Sequence, residues 1–136
     1  MITDKNLARI AGLFYLIIVI CGGFAELYVR QIRIVVSGDA ATTASNILAS
    51  EGLFRFALIS DLMMMMSYLV LGLTLYALLK NTHKAAARFM LAFNLMGVAI
   101  MCLNMLNHYA ALHILQADYL NVFSAEQLNA LSLFFL

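Results

Sequence analysis

Residues 56–79 read FALISDLMMMMSYLVLGLTLYALL, with Asp61 as the single charged residue in the run. A bilayer core asks for about 20 consecutive apolar residues at 1.5 Å of helical rise each. This stretch satisfies that on its own. Two more runs do the same, Ile10 to Val29 and Phe89 to Leu115. The reading is therefore an all-α integral membrane bundle. It has three transmembrane helices, expected at 4–29, 51–79 and 85–115, in a single membrane domain covering residues 1–136. The lipid bilayer is the first partner of such a chain.

Composition agrees. Of 136 residues, 65% are hydrophobic and 11% are charged, where a soluble domain carries about 25% charged residues. Mean hydropathy is +0.95. A net charge of +1 gives no excess to attract nucleic acid. Cys21 and Cys102 both lie inside apolar runs, with no C-x-x-C or Cys/His cluster, so they read as small helix residues. Lys5 and Arg9 precede the first run as they would in a signal peptide. No small-residue cleavage site follows, so that run reads as a retained helix.

Between the spans, local signals set the boundaries. Thr3 or Asp4 is placed to cap the first helix. Gly22 and Gly23 sit late in it, where another backbone can approach or the helix can unwind. Glu26 and Arg30 are spaced i,i+4 in the favourable order and are expected to pair at the interface beside Tyr28. Ser37-Gly38-Asp39 reads as a turn and an N-cap, opening an interfacial helix at 40–49. Ser50 is the expected cap of the second span, with Glu51 and Arg55 again i,i+4. Lys80-Asn81-Thr82-His83-Lys84 makes a tight basic hairpin loop. Residues 117–121 read as a loop. Ser124-Ala125-Glu126-Gln127 then reads as a capping box, with Phe123 and Leu128 as a hydrophobic staple. It starts a fourth helix, 125–136, too short to span, as if a longer protein continues.

Basic residues set the expected orientation. Lys5, Arg9, Lys80, Lys84 and Arg88 share one side, and Arg30, Arg33 and Arg55 the other. The N-terminus is therefore expected in the cytoplasm and the protein in the plasma membrane.

The polar residues inside the spans are the candidate site: Glu26, Asp61, Asn94, Asn104 and His108. Asp61 lies about five residues, roughly 8 Å, inside its run. At 100° per residue, Asn94, Met101, Asn104 and His108 share a stripe roughly 80° wide. These groups are expected to line one outward-opening cavity. An aspartate at a helix centre costs about 2.5–3.5 kcal/mol, so Asp61 is expected to face the bundle, to be protonated or to pair, with Arg55 or His108 as the candidate partner. Each intruder also has a structural reading as an interhelical hydrogen-bond contact. The run Met63 to Met66 suggests soft-metal ligation. Four consecutive helical residues point four ways, so it reads as apolar filler. No metal and no cofactor are expected, and no Walker, H-E-x-x-H or G-x-S-x-G motif points to catalysis.

Several segments resemble a known family. They are Arg9-Ile10-Ala11-Gly12-Leu13, Ala25-Glu26-Leu27 with Val29-Arg30, Gly38-Asp39-Ala40-Ala41 through Asn46 to Arg55, Ser60-Asp61-Leu62, and Leu75 to Lys80. Together they resemble the bacterial membrane-protein family "domain of unknown function 4386". The resemblance implies a multi-pass helical protein of the bacterial inner membrane and carries no activity. It implies that Glu26, Asp39, Glu51, Arg55 and Asp61 belong to the family pattern. Members are usually longer, which makes this chain similar to the N-terminal part of one. Two functions stay open on these residues. One is a transporter-like protein for a proton, cation or small polar solute. The other is a structural or regulatory protein, with a second copy or another membrane protein as partner. A membrane-embedded enzyme using Glu26, Asp61 and His108 is the least supported.

Overall fold

The computed structural model describes residues 4–117, 120 and 122–136. The described residues are all helical apart from short turns and contain no strand. Helix α1 (Asp4–Gly22) passes without a break into a π-helical segment (Gly23–Ile34). Then come α2 (Ala40–Ala49), α3 (Glu51–Leu79), α4 (Lys84–Gln116) and α5 (Ala125–Phe134). Three units are long and apolar enough to cross a membrane: Asp4–Ile34, Glu51–Leu79 and Lys84–Gln116. Only 6% of the most apolar window of α4 is buried, so most of that helix lies open on the surface of the bundle.

The first span departs from expectation. It runs to Ile34 rather than Val29, and the glycine pair marks a change of register instead of an unwound break. A π-helix closes its hydrogen bonds at i+5 and is usually a single-turn bulge; here it covers 12 residues. The register explains which side chains are buried. With i+5 bonding each residue turns by roughly 82°, so residues four, five and nine apart share a face. Ala25, Val29, Arg30 and Ile34 are all buried, while Ile32 is 71% exposed. At an α-helical 100° per residue, Ile34 would sit opposite Ala25 and Ile32 beside it. Side-chain contacts at i+5 agree: Gln31 Nε2 donates to Glu26 Oε1 and Arg33 Nη2 to Tyr28 Oη.

The connection to α3 is tied down by hydrogen bonds. Gly38 has φ +81°, a left-handed conformation that glycine adopts without steric cost. Asp39 caps α2 by accepting from the Thr42 amide at 2.9 Å. Its carboxyl pKa is lowered, first by the Thr42 hydroxyl donating to it and then by the Thr42 amide. Asn46 Nδ2 donates to the Ile34 carbonyl at 3.1 Å, satisfying an acceptor at the end of the π segment. Of the apolar pair on α2, Ile47 is buried and Leu48 is exposed. Ser50 makes no side-chain cap to α3, contrary to the expectation. Its backbone (φ −120°, ψ 34°) closes α2 instead, its amide donating to the Asn46 carbonyl.

α3 packs along α1 and the π segment and also along α4, so it is the middle element of the spans. The tightest packing lies at one end of the bundle. There Ala25, Val29, Ile34, Ile47, Phe54, Ala57, Leu58 and Leu112 form one buried cluster. α5 begins with the expected capping box, Ser124 and Gln127 bonding reciprocally. It lies over α2 and α4, and Ser132 Oγ donates to the Ala111 carbonyl at 3.0 Å. The cap expected at Thr3 and three residues of the 117–121 loop (118, 119 and 121) lie outside the described residues.

Candidate functional site

The close-packed end of the bundle also holds the charged groups. Arg30 is 3% exposed and projects from the π segment towards α3 and α4. Its Nη1 donates to Glu26 Oε2 at 3.1 Å. Its Nη2 donates to Asp61 Oδ2, and Nη1 also reaches Asp61 Oδ1 at 3.4 Å. His108 of α4 places Nδ1 3.9 Å from Asp61 Oδ2. On its other side, His108 Nε2 lies 3.4 Å from Asn104 Nδ2. Three membrane elements thus meet through four ionisable groups.

These residues line a cavity of about 330 Å³ together with Gly22 and the methionines Met64, Met65, Met101 and Met105. Glu26 and Arg30 also line a second cavity, with Gln31, Ser37 and Leu136 at the end of the bundle. The Glu26–Arg30 pair therefore stands in the wall between the two. With His108 neutral, one guanidinium faces two carboxylates, a balance of −1. Charge at membrane depth is costly unless it is paired, and Asp61 is paired with Arg30.

Of the expected residues, Glu26, Asp61, Asn104 and His108 come together here. Asn94 does not. Its Nδ2 donates to the Tyr68 carbonyl at 3.1 Å, and its amide presses against Gly72 of α3. It belongs to a separate α3–α4 contact more than two turns away. Asn107 is exposed and outside the cavity lining. His113 stacks on Tyr109.

Arg55 is not the partner of Asp61. It pairs with Glu51 at 2.6 Å and reaches Gln116 at 3.5 Å, on the surface of the bundle. The partner is Arg30, which spacing had assigned to Glu26 alone. The available signal was the apolar Ile32, Ile34, Val35 and Val36 beyond it: the run does not end at Val29, so Arg30 is inside the span. Among the described residues no group of three His, Cys, Asp or Glu side chains could hold a metal ion.

Every one of these residues falls within the part of the chain, 10–136, that matches the family model described as Domain of unknown function (DUF4386). The chain belongs to that family. Searches of the curated proteins and of the solved structures gave no match. DUF4386 brings no chemistry with its description, so the reading of the site rests on the geometry.

Proposed function

We propose that this DUF4386 protein is a transporter-like protein of the bacterial inner membrane. Its Glu26–Arg30–Asp61–His108 cavity takes up a proton, a cation or a small polar solute. The observation that carries this reading is the buried ionisable cluster shared by three spans and opening on a cavity. Ionisable groups at membrane depth face such cavities and mark ion or solute pathways. The excess of one carboxylate favours a positively charged occupant. The N-terminus lies in the cytoplasm on this reading. Arg30 is withdrawn into the cluster, so only Arg33 and Arg55 oppose the five basic residues of the N-terminal side, which supports that orientation.

A thermal-shift screen of ions, solutes and pH on detergent-purified protein tests the proposal. Wild type is run beside Asp61→Asn and Glu26→Gln, followed by flux in proteoliposomes. A stabilising condition lost in Asp61→Asn, with flux lost alongside it, is the expected result. Glu26 is half-exposed, so Glu26→Gln guards against a folding defect. Identical profiles in all three proteins would overturn the proposal. They would favour a second reading, supported by the Arg30–Asp61 bridge itself, in which the cluster pins the spans of a structural or regulatory partner protein.

A further inference from the structure

The Met63–Met66 run does scatter, but only half of it is exposed. Met63 and Met66 are exposed, whereas Met64 and Met65 line the cavity. They share that lining with Met101 and Met105 of α4, which are spaced i,i+4 and so lie on one helix face. Two sulfur positions are marked by their neighbours. Met64 Sδ lies against the backbone at Gly22, where an added Cβ would stand 2.6 Å from it. Met65 Sδ accepts from Cys102 Sγ at 3.1 Å across the α3–α4 seam. In the same cavity His108 is 4% exposed, and its Nδ1 has no hydrogen-bond partner.

We infer that this cavity binds a soft monovalent metal cation of the Cu(I) and Ag(I) class, through the Met64, Met65, Met101 and Met105 thioethers with His108 Nδ1. Thioether sulfur is a soft donor that selects Cu(I), while carboxylate, carbonyl and water donors suit hard ions. Neutral sulfurs cannot replace the hydration shell of Na⁺ or Mg²⁺, whose ligands are oxygens. The −1 balance of Glu26, Arg30 and Asp61 beside the sulfurs offsets one positive charge and no more. The two helices contribute the ligands in pairs, which the scatter of consecutive methionines on one helix cannot do. This inference rests on the cavity being a cation site and specifies the cation.

The test is Ag(I) titration of the detergent-purified full chain, and Cu(I) titration under a chelator and reductant. Bound metal is counted by elemental analysis and affinity read by chelator competition. Wild type is compared with Met101→Leu/Met105→Leu, Met64→Leu/Met65→Leu and Cys21→Ala/Cys102→Ala. The expected result is about one ion per chain, with affinity lowered about tenfold or more in each Met pair and lowered less in the Cys pair, where Met65 keeps its thioether and loses only its contact with Cys102. Unchanged melting temperatures of the metal-free variants separate ligand loss from misfolding, since Met→Leu is volume-conserving. Absence of metal uptake by wild type would overturn the inference. So would uptake retained in both Met pairs or lost only in the Cys pair. If Asp61-dependent stabilisation by pH or another solute persists in that case, the transporter-like reading survives without the soft metal.

Discussion

Arg30 and Asp61, 31 positions apart in the chain, meet in a buried two-point contact that joins the π segment to α3. Glu26 holds the same guanidinium from one turn away. His108 Nδ1 stands 3.9 Å from Asp61 Oδ2, the same oxygen that Arg30 Nη2 reaches. Removing either partner of a buried pair strands a charge, whereas replacing both with apolar groups does not.

Arg30→Ala and Asp61→Ala are therefore each expected to destabilise the bundle by about 3–5 kcal/mol, and Arg30→Met/Asp61→Leu to recover most of that loss. Reversible SDS unfolding in mixed micelles reads all three. Additive losses in the double variant would contradict the pairing.

The π register makes a prediction that separates two neighbouring isoleucines. Ile34 is fully buried and Ile32 is 71% exposed. Ile34→Ala should cost about 2–5 kcal/mol, as for a core isoleucine. Ile32→Ala should stay within about 0.5 kcal/mol of wild type. An α-helical register reverses the order, so the same unfolding assay decides between them.

Gly72 is where α3 and α4 come close. A Cβ there would collide with the Asn94 amide. Gly72→Ala is expected to destabilise by about 1–3 kcal/mol, the usual cost of overpacking. In an Asn94→Ala background most of that penalty should vanish. Asn94→Ala alone should cost about 0.6 kcal/mol, typical of an interhelical hydrogen bond in a membrane. An equal effect of Gly72→Ala in both backgrounds would show that the amide does not occupy that space.

Asp39 sets the acid-side behaviour of α2. Its carboxyl pKa is lowered from 3.8, with hydrogen bonds from Thr42 as the main cause. A depressed folded-state pKa means the cap contributes fully above the unfolded value. The contribution is lost as pH falls through the folded value. A carboxyl NMR titration of Asp39 should therefore show a midpoint below 3.8, moving up when Thr42→Val removes the hydroxyl donor. Asp39→Asn should keep the cap at neutral pH and abolish its acid dependence, because asparagine caps as well as aspartate. A midpoint at or above 3.8, unmoved by Thr42→Val, would refute the assignment.

Much of the site was within reach of sequence reasoning, because the bilayer makes polar residues conspicuous. Glu26, Asp61, Asn104 and His108 stand out in apolar runs, and the structure gathers them at one cavity. Arg30 reads as interfacial from the sequence because an i,i+4 partner in Glu26 accounts for it locally. Asn94 shares a helix face with His108, but a face does not say what stands opposite at each height. At Asn94 it is Gly72, and at His108 it is Asp61.

The three spans, the basic hairpin loop, the Asp39 cap and the Ser124–Gln127 capping box follow from the sequence by itself. Each depends on a run of apolar side chains or on residues within four positions of one another, so local chemistry suffices. The π register of Gly23–Ile34, the burial of Arg30 and its bridge to Asp61 were decided only by the tertiary structure. Both registers hydrogen-bond the backbone completely. What selects between them is whether Ala25, Val29, Arg30 and Ile34 can meet α3 together, a question about the partner helix that no local pattern contains.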